Sequence, residues 1–338
     1  EITTSYEVGT DLRFINERVR LNATYYRSTT RDQIIRVPLA RSTGYETRLV
    51  NAGEIRNQGV ETRLQLTPVQ DIGGFGWDVT VNWSRNRSTV VELAEGIDSF
   101  VLGSGPFGGF VEAREGGRMG DMYGRVFERV QDPDSPHTGE IIYEGGLPQL
   151  TDDAQKVGNY NHDWQAGIGT TLSYENLRLS VLVDYRRGGR IYSNTHATGI
   201  EGGTLEGTTC CRNETVVGEG VVRNDDGTFS ENTTEAPYVT WLRQYYARPN
   251  VESNSFDATY AKLREVKLQY NFAPSWLATR GVQNVGVSVV GRNLFLWTDV
   301  PHIDPETTLT NGQQRLPGFE VQQLPSTRTF GVNLRLDF

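Results

Sequence analysis

Apolar and polar residues alternate one by one from Thr329 to the last residue of the chain. Since successive side chains of a β-strand point to opposite faces, this pattern predicts a strand with one apolar and one polar face. The apolar residues of this last segment are Phe330, Val332, Leu334, Leu336 and Phe338. An aromatic residue at the end of an alternating strand is typical of an outer-membrane β-barrel. We therefore interpret these five residues as a barrel-assembly signal.

The same alternation recurs through the rest of the chain and predicts roughly ten to twelve spanning strands. The clearest alternating segments are residues 5–14, 18–25, 60–66, 77–84, 166–174, 177–185, 260–272 and 284–297. The last of these segments changes phase near Gly291, Arg292 and Asn293. About ten residues of about 3.3 Å each, tilted near 45°, cover the roughly 25 Å apolar band of an outer-membrane barrel. The predicted fold class is thus all-β, an antiparallel transmembrane β-barrel.

Connections between the predicted strands are alternately short and long. Short turns fall at 16–17, 71–76 and 175–176, whereas the segments 28–56, 87–163, 186–257 and 298–325 are long. Outer-membrane barrels have short periplasmic turns and long extracellular loops. We therefore expect the long segments to form extracellular loops, where binding chemistry usually lies.

Composition fits this interpretation, because half of each barrel strand faces a polar interior. No segment approaches the roughly 18 consecutive apolar residues of a membrane helix. Aromatic residues are 10% of the chain, and many fall at strand ends, where barrels carry aromatic girdles. The pattern leaves open a soluble all-β protein with the same period of two.

The first predicted strand begins at residue 1, so this set of strands would have unpaired edges. Each unpaired backbone group facing lipid costs several kcal/mol. We expect that strands upstream, or another chain, complete the barrel.

The segment from Val50 to Glu61, VNAGEIRNQGVE, resembles a signature of the SusC/RagA family of TonB-dependent outer-membrane transporters. Further segments match the same family in the same order, namely 32–34, 37–39, 42–45, 263–270 and 291–295. The resemblance implies a barrel of about 22 strands around a plug. Residues 1–338 would be its carboxyl-terminal part, with the plug domain and the amino-terminal strands absent from this chain.

Members of this family import oligosaccharides or peptides through the bacterial outer membrane with energy from the TonB complex, and a SusD-like surface lipoprotein closes their extracellular mouth. The resemblance therefore implies a nutrient importer that is not an enzyme. Its partners would be the missing barrel half with its plug, the lipoprotein, TonB and membrane lipid. Two alternatives stay open: a non-transporting anchor for surface assembly or adhesion, and a siderophore or cobalamin receptor of the wider superfamily. The sequence does not name the nutrient.

Trp241, Tyr245 and Tyr246 are the candidate substrate-binding residues, because flat rings in a long loop stack on sugars or grip peptide side chains. Packing within the loop is the alternative role for these three residues.

The adjacent cysteines, Cys210 and Cys211, are the only two in the chain. In an oxidising compartment we favour a disulfide over two free thiols, either between them or to the missing half.

Other chemistry is weakly supported. Relatives often carry a calcium-like loop between Tyr123 and Gly158, but residues 131–137 lack its spacing of ligands, so we expect no metal there. The four histidines are spread through the loops without ligand spacing, and we expect them to be surface residues. A net charge of −9 without a basic stripe argues against a nucleic acid partner. No cofactor is predicted.

Overall fold

A computed structural model describes residues 1–38, 42, 44, 45, 47–272, 281, 284–311 and 314–337 of the chain. The predicted terminal aromatic, Phe338, lies outside the described residues, as do Leu39 and Thr43 of the flanking family segments. None of the helices among the described residues is long and apolar enough to cross a bilayer.

The described elements are mostly strands. In chain order they are β1 (Ile2–Phe14), β2 (Val19–Arg31), β3 (Ile34–Pro38), β4 (Thr47–Asn51), β5 (Glu54–Ile72), β6 (Phe75–Glu92), β7 (Ser99–Ser104), β8 (Phe110–Arg114), β9 (Asp121–Gly124), β10 (Ile142–Glu144), β11 (Leu147–Pro148), β12 (Gln155–Asn159), β13 (Trp164–Tyr174), β14 (Leu177–Arg187), β15 (Arg190–Ser193), α1 (Asn194–Glu201), β16 (Thr215–Val217), β17 (Val221–Arg223), β18 (Phe229–Glu231), β19 (Glu235–Pro237), α2 (Tyr238–Tyr245), β20 (Ser255–Asp257), β21 (Tyr260–Phe272), β22 (Asn284–Thr298), β23 (Leu309–Asn311), β24 (Gln314–Leu316), β25 (Phe319–Glu320) and β26 (Thr329–Asp337).

One antiparallel sheet dominates the molecule, with strand order β1-β2-β5-β6-β13-β14-β21-β22-β26. Its long strands are neighbours in chain order, as in an up-and-down barrel wall. The predicted count of ten to twelve spanning strands was too high, because nine strands form this sheet in the described part of the chain. The other strands are short and lie in the connections.

One face of this sheet is apolar across its whole width. Strand register fixes the face, because residues that are paired across antiparallel strands point the same way. A single paired row crosses six strands through Leu12, Leu21, Leu64, Val81, Ile168 and Val183. At the far edge, Val332 and Leu334 of β26 pair with Val289 and Val287 of β22, on the same face. The alternation predicted for the wall is therefore present in three dimensions.

The predicted change of phase in β22 is confirmed as a bulge. Leu263 of β21 pairs with Phe295, whereas Glu265 pairs with Arg292, so β22 contributes one extra residue there. Asn293 takes a positive φ of 51° in the bulge. Beyond it, Phe295 and Trp297 point to the apolar face with Leu263 and are more than half exposed. The bulge thus returns large aromatic residues to the lipid side near the strand end.

Two glycines of the family-like signature have a physical reason to be glycine. Gly53 has a φ of +90°, a backbone conformation that side chains rarely adopt. Gly59 is buried under Tyr26, and a Cβ at Gly59 would lie 2.5 Å from the Tyr26 hydroxyl. The Tyr26 hydroxyl donates to Asn86 Oδ1 at 3.1 Å across that glycine. The signature therefore specifies a turn and a close approach between three strands.

The two ends of the sheet differ, as the connection lengths predict. Positive-φ residues close the tight turns at one end, including Asn16, Gly73 and Glu175. At the other end, the connections 93–163, 188–259 and 299–328 carry the two helices and most of the short strands. We call these three connections the loop layer. The largest cluster of buried apolar residues lies in the loop layer and not in the sheet.

Candidate functional site

The loop layer is a single packed body, because all three connections contribute to one core. Val111 and Met122 come from the first connection, Tyr192 and Val251 from the second, and Phe319 from the third. All five are at most 2% exposed. Burying a large apolar side chain contributes about 1.5–3 kcal/mol, so this core holds the connections together.

Phe319 lies at the centre of this core. Its ring is 5.8 Å from that of Tyr192, and a Cβ at either Gly105 or Gly109 would come within 2.6 Å of the Phe319 ring. Two glycines of the first connection therefore make room for an aromatic ring of the third. Strand β25, which carries Phe319, also pairs in parallel with β15 of the second connection.

A buried carboxylate makes a second link between the connections. Glu320, with 0% exposure, accepts hydrogen bonds from the Ser193 hydroxyl at 2.9 Å and from the Thr195 hydroxyl and backbone N–H. Ser193 is the N-cap of α1, so the Glu320 charge lies at the positive end of that helix. Arg129 of the first connection adds a bidentate ion pair to Glu252 of the second, at 2.7 and 3.0 Å.

The three predicted substrate-binding residues are brought together on and just after α2. The Tyr245 ring lies 4.9 Å from Trp241, 4.9 Å from Tyr246 and 4.7 Å from Phe127 of the first connection. All three predicted residues are half-buried. Packing among aromatic rings is thus one role that these residues have, and their contact with a substrate stays a prediction.

The aromatic row continues into two histidines, and here the sequence interpretation was wrong for one of them. His196 was expected at the surface, yet it is only 8% exposed. Its ring contacts Tyr246 edge-on at 5.0 Å and stacks on His302 of the third connection at 5.9 Å. Burial lowers the pKa of His196 more than its hydrogen bond with Asn254 raises it. A neutral imidazole therefore belongs to the interior of the loop layer.

A buried charge network fastens the loop layer to the inner face of the sheet. Lys262 of β21 is 1% exposed, and its Nζ lies 2.7 Å from Asp304 and 2.6 Å from Glu306, both in the third connection. The Lys262 ammonium also donates to the Ser326 hydroxyl at 3.2 Å. These three groups satisfy the buried ammonium of Lys262. Loss of any one of them would leave a buried charge or donor without a partner, which is costly.

Arg264 extends the network along the same strand. Its guanidinium donates to both oxygens of Glu306, and its Nε donates to Asp184 of β14 at 2.6 Å. Arg264 follows Lys262 by two residues on β21 and so shares its inner side, and the strand bulges directly after it, between Leu263 and Glu265. Burial raises the pKa of Glu306, but hydrogen bonds from Arg264, Lys262 and Tyr260 outweigh it and bring the pKa to about 2.

A polar cavity of about 540 Å³ opens on the inner face of the sheet beside this network. Its charged lining residues are Glu61, Arg63, Asp184 and Arg186, with Asn82 between them. Asp184 belongs to both the cavity and the charge network. The inner wall and the third connection therefore meet at one surface, and that surface carries both signs of charge.

The remaining predicted site residues have simple positions. Cys210 and Cys211 carry free thiols in a turn of the second connection, and Cys211 has a φ of 57°. The neighbouring Cys210 raises the pKa of Cys211 to about 11. The disulfide stays a prediction.

The apolar face of the edge strand β26 carries the described residues of the predicted assembly signal, Phe330, Val332, Leu334 and Leu336. Their role in assembly stays a prediction as well.

An antiparallel sheet with an exposed apolar outer face, a polar inner face and long loops at one end defines the wall of a transmembrane β-barrel. Comparison with known proteins agrees with that class. Residues 1–104 match the family model described as the β-barrel of TonB-dependent receptor-like proteins. The match over residues 1–104 confirms the resemblance to TonB-dependent receptors of the SusC/RagA kind, and the wall belongs in the bacterial outer membrane.

Relatives by sequence lie in the same group. TonB-dependent receptor P3 of Formosa agariphila is 26% identical over 361 residues, covering 100% of this chain and 34% of that protein. TonB-dependent receptor SusC of Bacteroides thetaiotaomicron is 28% identical over 100 residues, covering 29% of this chain and 10% of that protein. The chain spans about a third of the length of the curated relatives that it matches along its whole length.

Solved structures with the same fold include the RagAB peptide transporter. The chain aligns to it with a TM-score of 0.71 at 18% identity, over 99% of this chain and 35% of that one. The closed-closed state of the RagAB peptide importer gives a TM-score of 0.72 at 19% identity. At this level of identity the likeness shows the fold alone.

Proposed function

We propose that the chain forms part of the wall and of the extracellular loops of an active nutrient importer. The observation that carries this proposal is the junction at Lys262, where the third connection is fixed to the inner wall beside the polar cavity. A pathway for a polar solute needs both a polar inner face and loops that surround its entrance, and the junction joins the two. The chain would have no catalytic role.

In this proposal the complete protein includes a plug and further strands, takes energy from the TonB complex, and binds a SusD-like lipoprotein at its extracellular mouth. Support comes from the match of residues 1–104 to the TonB-dependent receptor barrel and from the sequence similarity to a receptor named SusC. The imported solute would be an oligosaccharide or a peptide, and the half-buried rings of Trp241, Tyr245 and Tyr246 would contact it. Replacing one stacked aromatic residue by alanine in such a contact weakens binding by roughly tenfold.

The experiment measures uptake of labelled oligosaccharides and peptides by cells that make the full-length protein. We expect uptake of one solute class, its loss when TonB is removed, and weaker uptake by the double variant Trp241→Ala, Tyr246→Ala. Tyr174→Leu, at the turn end of the sheet, is the matched aromatic control and should import normally. If cells with correctly inserted protein import neither class, while still adhering to a surface or a partner, the protein is an anchor.

A lipoprotein partner is tested separately by purifying the tagged full-length protein from native membranes. Co-purification of a surface lipoprotein in equal amounts supports the lid. Uptake without any such partner would support the import function and contradict the lipoprotein lid.

A further inference from the structure

Three arginines lie together on the outward face of the sheet, at its loop end. Arg27 of β2 and Arg87 of β6 both flank Gln58 of β5 in one paired row. Arg85 lies one row closer to the turn end, opposite Val60. All three arginines are exposed. We call Arg27, Arg85 and Arg87 the outer arginine cluster.

Strand alternation places this cluster on the lipid side and not on the inner side. Val81 and Trp83 precede Arg85 by four and two residues on β6, so the three side chains share a face. Val81 belongs to the apolar row that crosses the sheet. The arginines therefore continue a membrane-facing surface, where a charge inside the apolar band would be costly.

The position along the strand resolves this apparent conflict. Phe75 begins β6 at the turn end on the same face, and Arg85 follows it by ten residues. At about 3.3 Å per residue and a tilt near 45°, the two are roughly 23 Å apart along the membrane normal, close to the roughly 25 Å height of the apolar band. Trp83 lies one outward row inside that boundary, and Tyr25 lies in the same row as Arg85, so both occupy positions typical of girdle residues. Arg85 therefore lies at the level of the outer headgroups, and Arg87 lies two residues further along β6 toward the loop end.

The charges of the cluster are not neutralised by any carboxylate among the described residues. Two other outward arginines nearby, Arg31 and Arg56, share the carboxylate of Glu54 at 2.8 and 3.3 Å. Within the described ranges no carboxylate oxygen lies within 4.0 Å of a side-chain nitrogen of Arg27, Arg85 or Arg87. The guanidinium fork matches the oxygens of a phosphate group and can bind it through two hydrogen bonds.

We propose that the outer arginine cluster is a binding site for the phosphate groups of a lipid in the outer leaflet. Neighbouring strands are about 4.8 Å apart, so Arg27 and Arg87 are separated by about 10 Å and Arg85 and Arg87 by about 7 Å. Long flexible side chains at that spacing can converge on one phosphorylated headgroup while its acyl chains cover Tyr25 and Val60. The lipid would fix the height of this wall in the membrane. The site is independent of what the protein imports.

The test uses the full-length protein in nanodiscs of phosphatidylcholine, with or without added lipid A. We expect lipid A to raise the melting temperature of the wild type, and its dephosphorylated form to have little effect. The triple variant Arg27→Gln, Arg85→Gln, Arg87→Gln should bind lipid A about a hundredfold more weakly, since each arginine near a membrane surface contributes about a factor of five. The matched control, Arg13→Gln, Arg20→Gln, Arg335→Gln, removes three inner-face charges and should bind normally.

Equal binding of lipid A by the triple variant and the wild type would overturn the proposal. So would equal stabilisation by inorganic phosphate in detergent, because that result indicates an anion site without lipid. If the triple variant does not insert, the three single variants are measured instead, each with an expected loss of about fivefold. The lysine variants of the same three positions keep the charge, and weaker lipid A binding by them assigns the effect to the guanidinium fork.

Discussion

The membrane wall and the loop layer treat apolar residues in opposite ways. On β26, Val332 and Leu334 are 72% and 65% exposed, whereas Phe319 and Tyr192 of the loop layer are fully buried. The wall leaves its apolar face uncovered because lipid is its solvent, and the loop layer packs an ordinary interior because water surrounds it. The wall and the loop layer are thus stabilised in different ways, and a substitution within one region should destabilise that region alone.

Lys262 is where the two regions meet, so its loss should have the largest effect. Lys262→Met leaves the carboxylate of Asp304, 3% exposed, without its counter-ion. Removing one partner of a buried ion pair costs about 3–5 kcal/mol. We expect proteolysis within residues 299–328 of the full-length protein to rise sharply, while the wall keeps its resistance to heat in gels. Adding Asp304→Asn to the variant should restore part of the protection, and unchanged proteolysis would contradict the role of the network.

Phe319→Ala should disrupt the loop layer alone. Removing a buried phenylalanine costs about 3–5 kcal/mol, and the glycines packed on its ring cannot fill the space. Hydrogen exchange should rise in all three connections, because the core is shared. The matched control is Phe330→Ala, on the lipid face, which should leave exchange in the loops unchanged. A rise confined to residues near Phe319 would show that the connections are separate bodies.

Val81→Arg should damage the wall alone. An arginine on the lipid face near the bilayer midplane costs about 2–4 kcal/mol, whereas Thr80→Arg points inward and should cost little. Leu334 lies three residues before the end of β26. Leu334→Arg should therefore cost less than Val81→Arg, because the penalty for a charge falls toward the membrane interfaces. Heat-modifiability gels of the full-length protein rank the three variants. Equal damage from Val81→Arg and Thr80→Arg would refute the assignment of faces.

Acid should loosen the junction with a predictable sign. Ion pairing and hydrogen bonds lower the pKa of Glu306 from 4.5 to about 2 despite its burial, and the pKa of Asp304 is lowered too. A depressed carboxyl pKa stabilises the folded form above the unfolded pKa and loses that effect as pH falls through the folded pKa. The protection of residues 299–328 against hydrogen exchange, measured relative to the intrinsic rate at each pH, should therefore be constant above about pH 5 and fall between pH 4.5 and about 2. Glu306→Gln should flatten most of this dependence.

The same contrast explains what could be predicted from the sequence. Alternation with a period of two specified the strands of the wall, their faces and the phase change at Asn293, because each residue of a wall strand faces either lipid or the interior. The nine alternating segments named above correspond to the nine strands of the sheet, and the higher count of ten to twelve had no further alternating segment behind it. The short strands of the loop layer carry no such repeat. The glycine-rich signature from Val50 to Glu61 was informative because Gly53 and Gly59 are needed locally.

The contacts of the loop layer could not be predicted in this way. His196 meets His302 across more than a hundred residues of sequence, and Lys262 meets Asp304 because the third connection folds back onto the inner face. Neither pair has a local signal. One signal was available for Lys262. It lies on the inner face of a strand next to a long loop with several acidic residues, and a lysine that becomes buried there needs a carboxylate partner.

The topology places the loop layer outside the cell and the tight turns in the periplasm. A membrane-impermeant maleimide, applied with mild reductant to intact cells that make the full-length protein, tests it directly. Cys210 is exposed in the loop layer, so we predict that it is labelled on intact cells. In a variant with Cys210→Ser, Cys211→Ser and Glu175→Cys, the new thiol in a tight turn should be labelled only after lysis. Labelling of the turn on intact cells, with the native cysteines protected until lysis, would show that the sheet has the opposite orientation in the membrane.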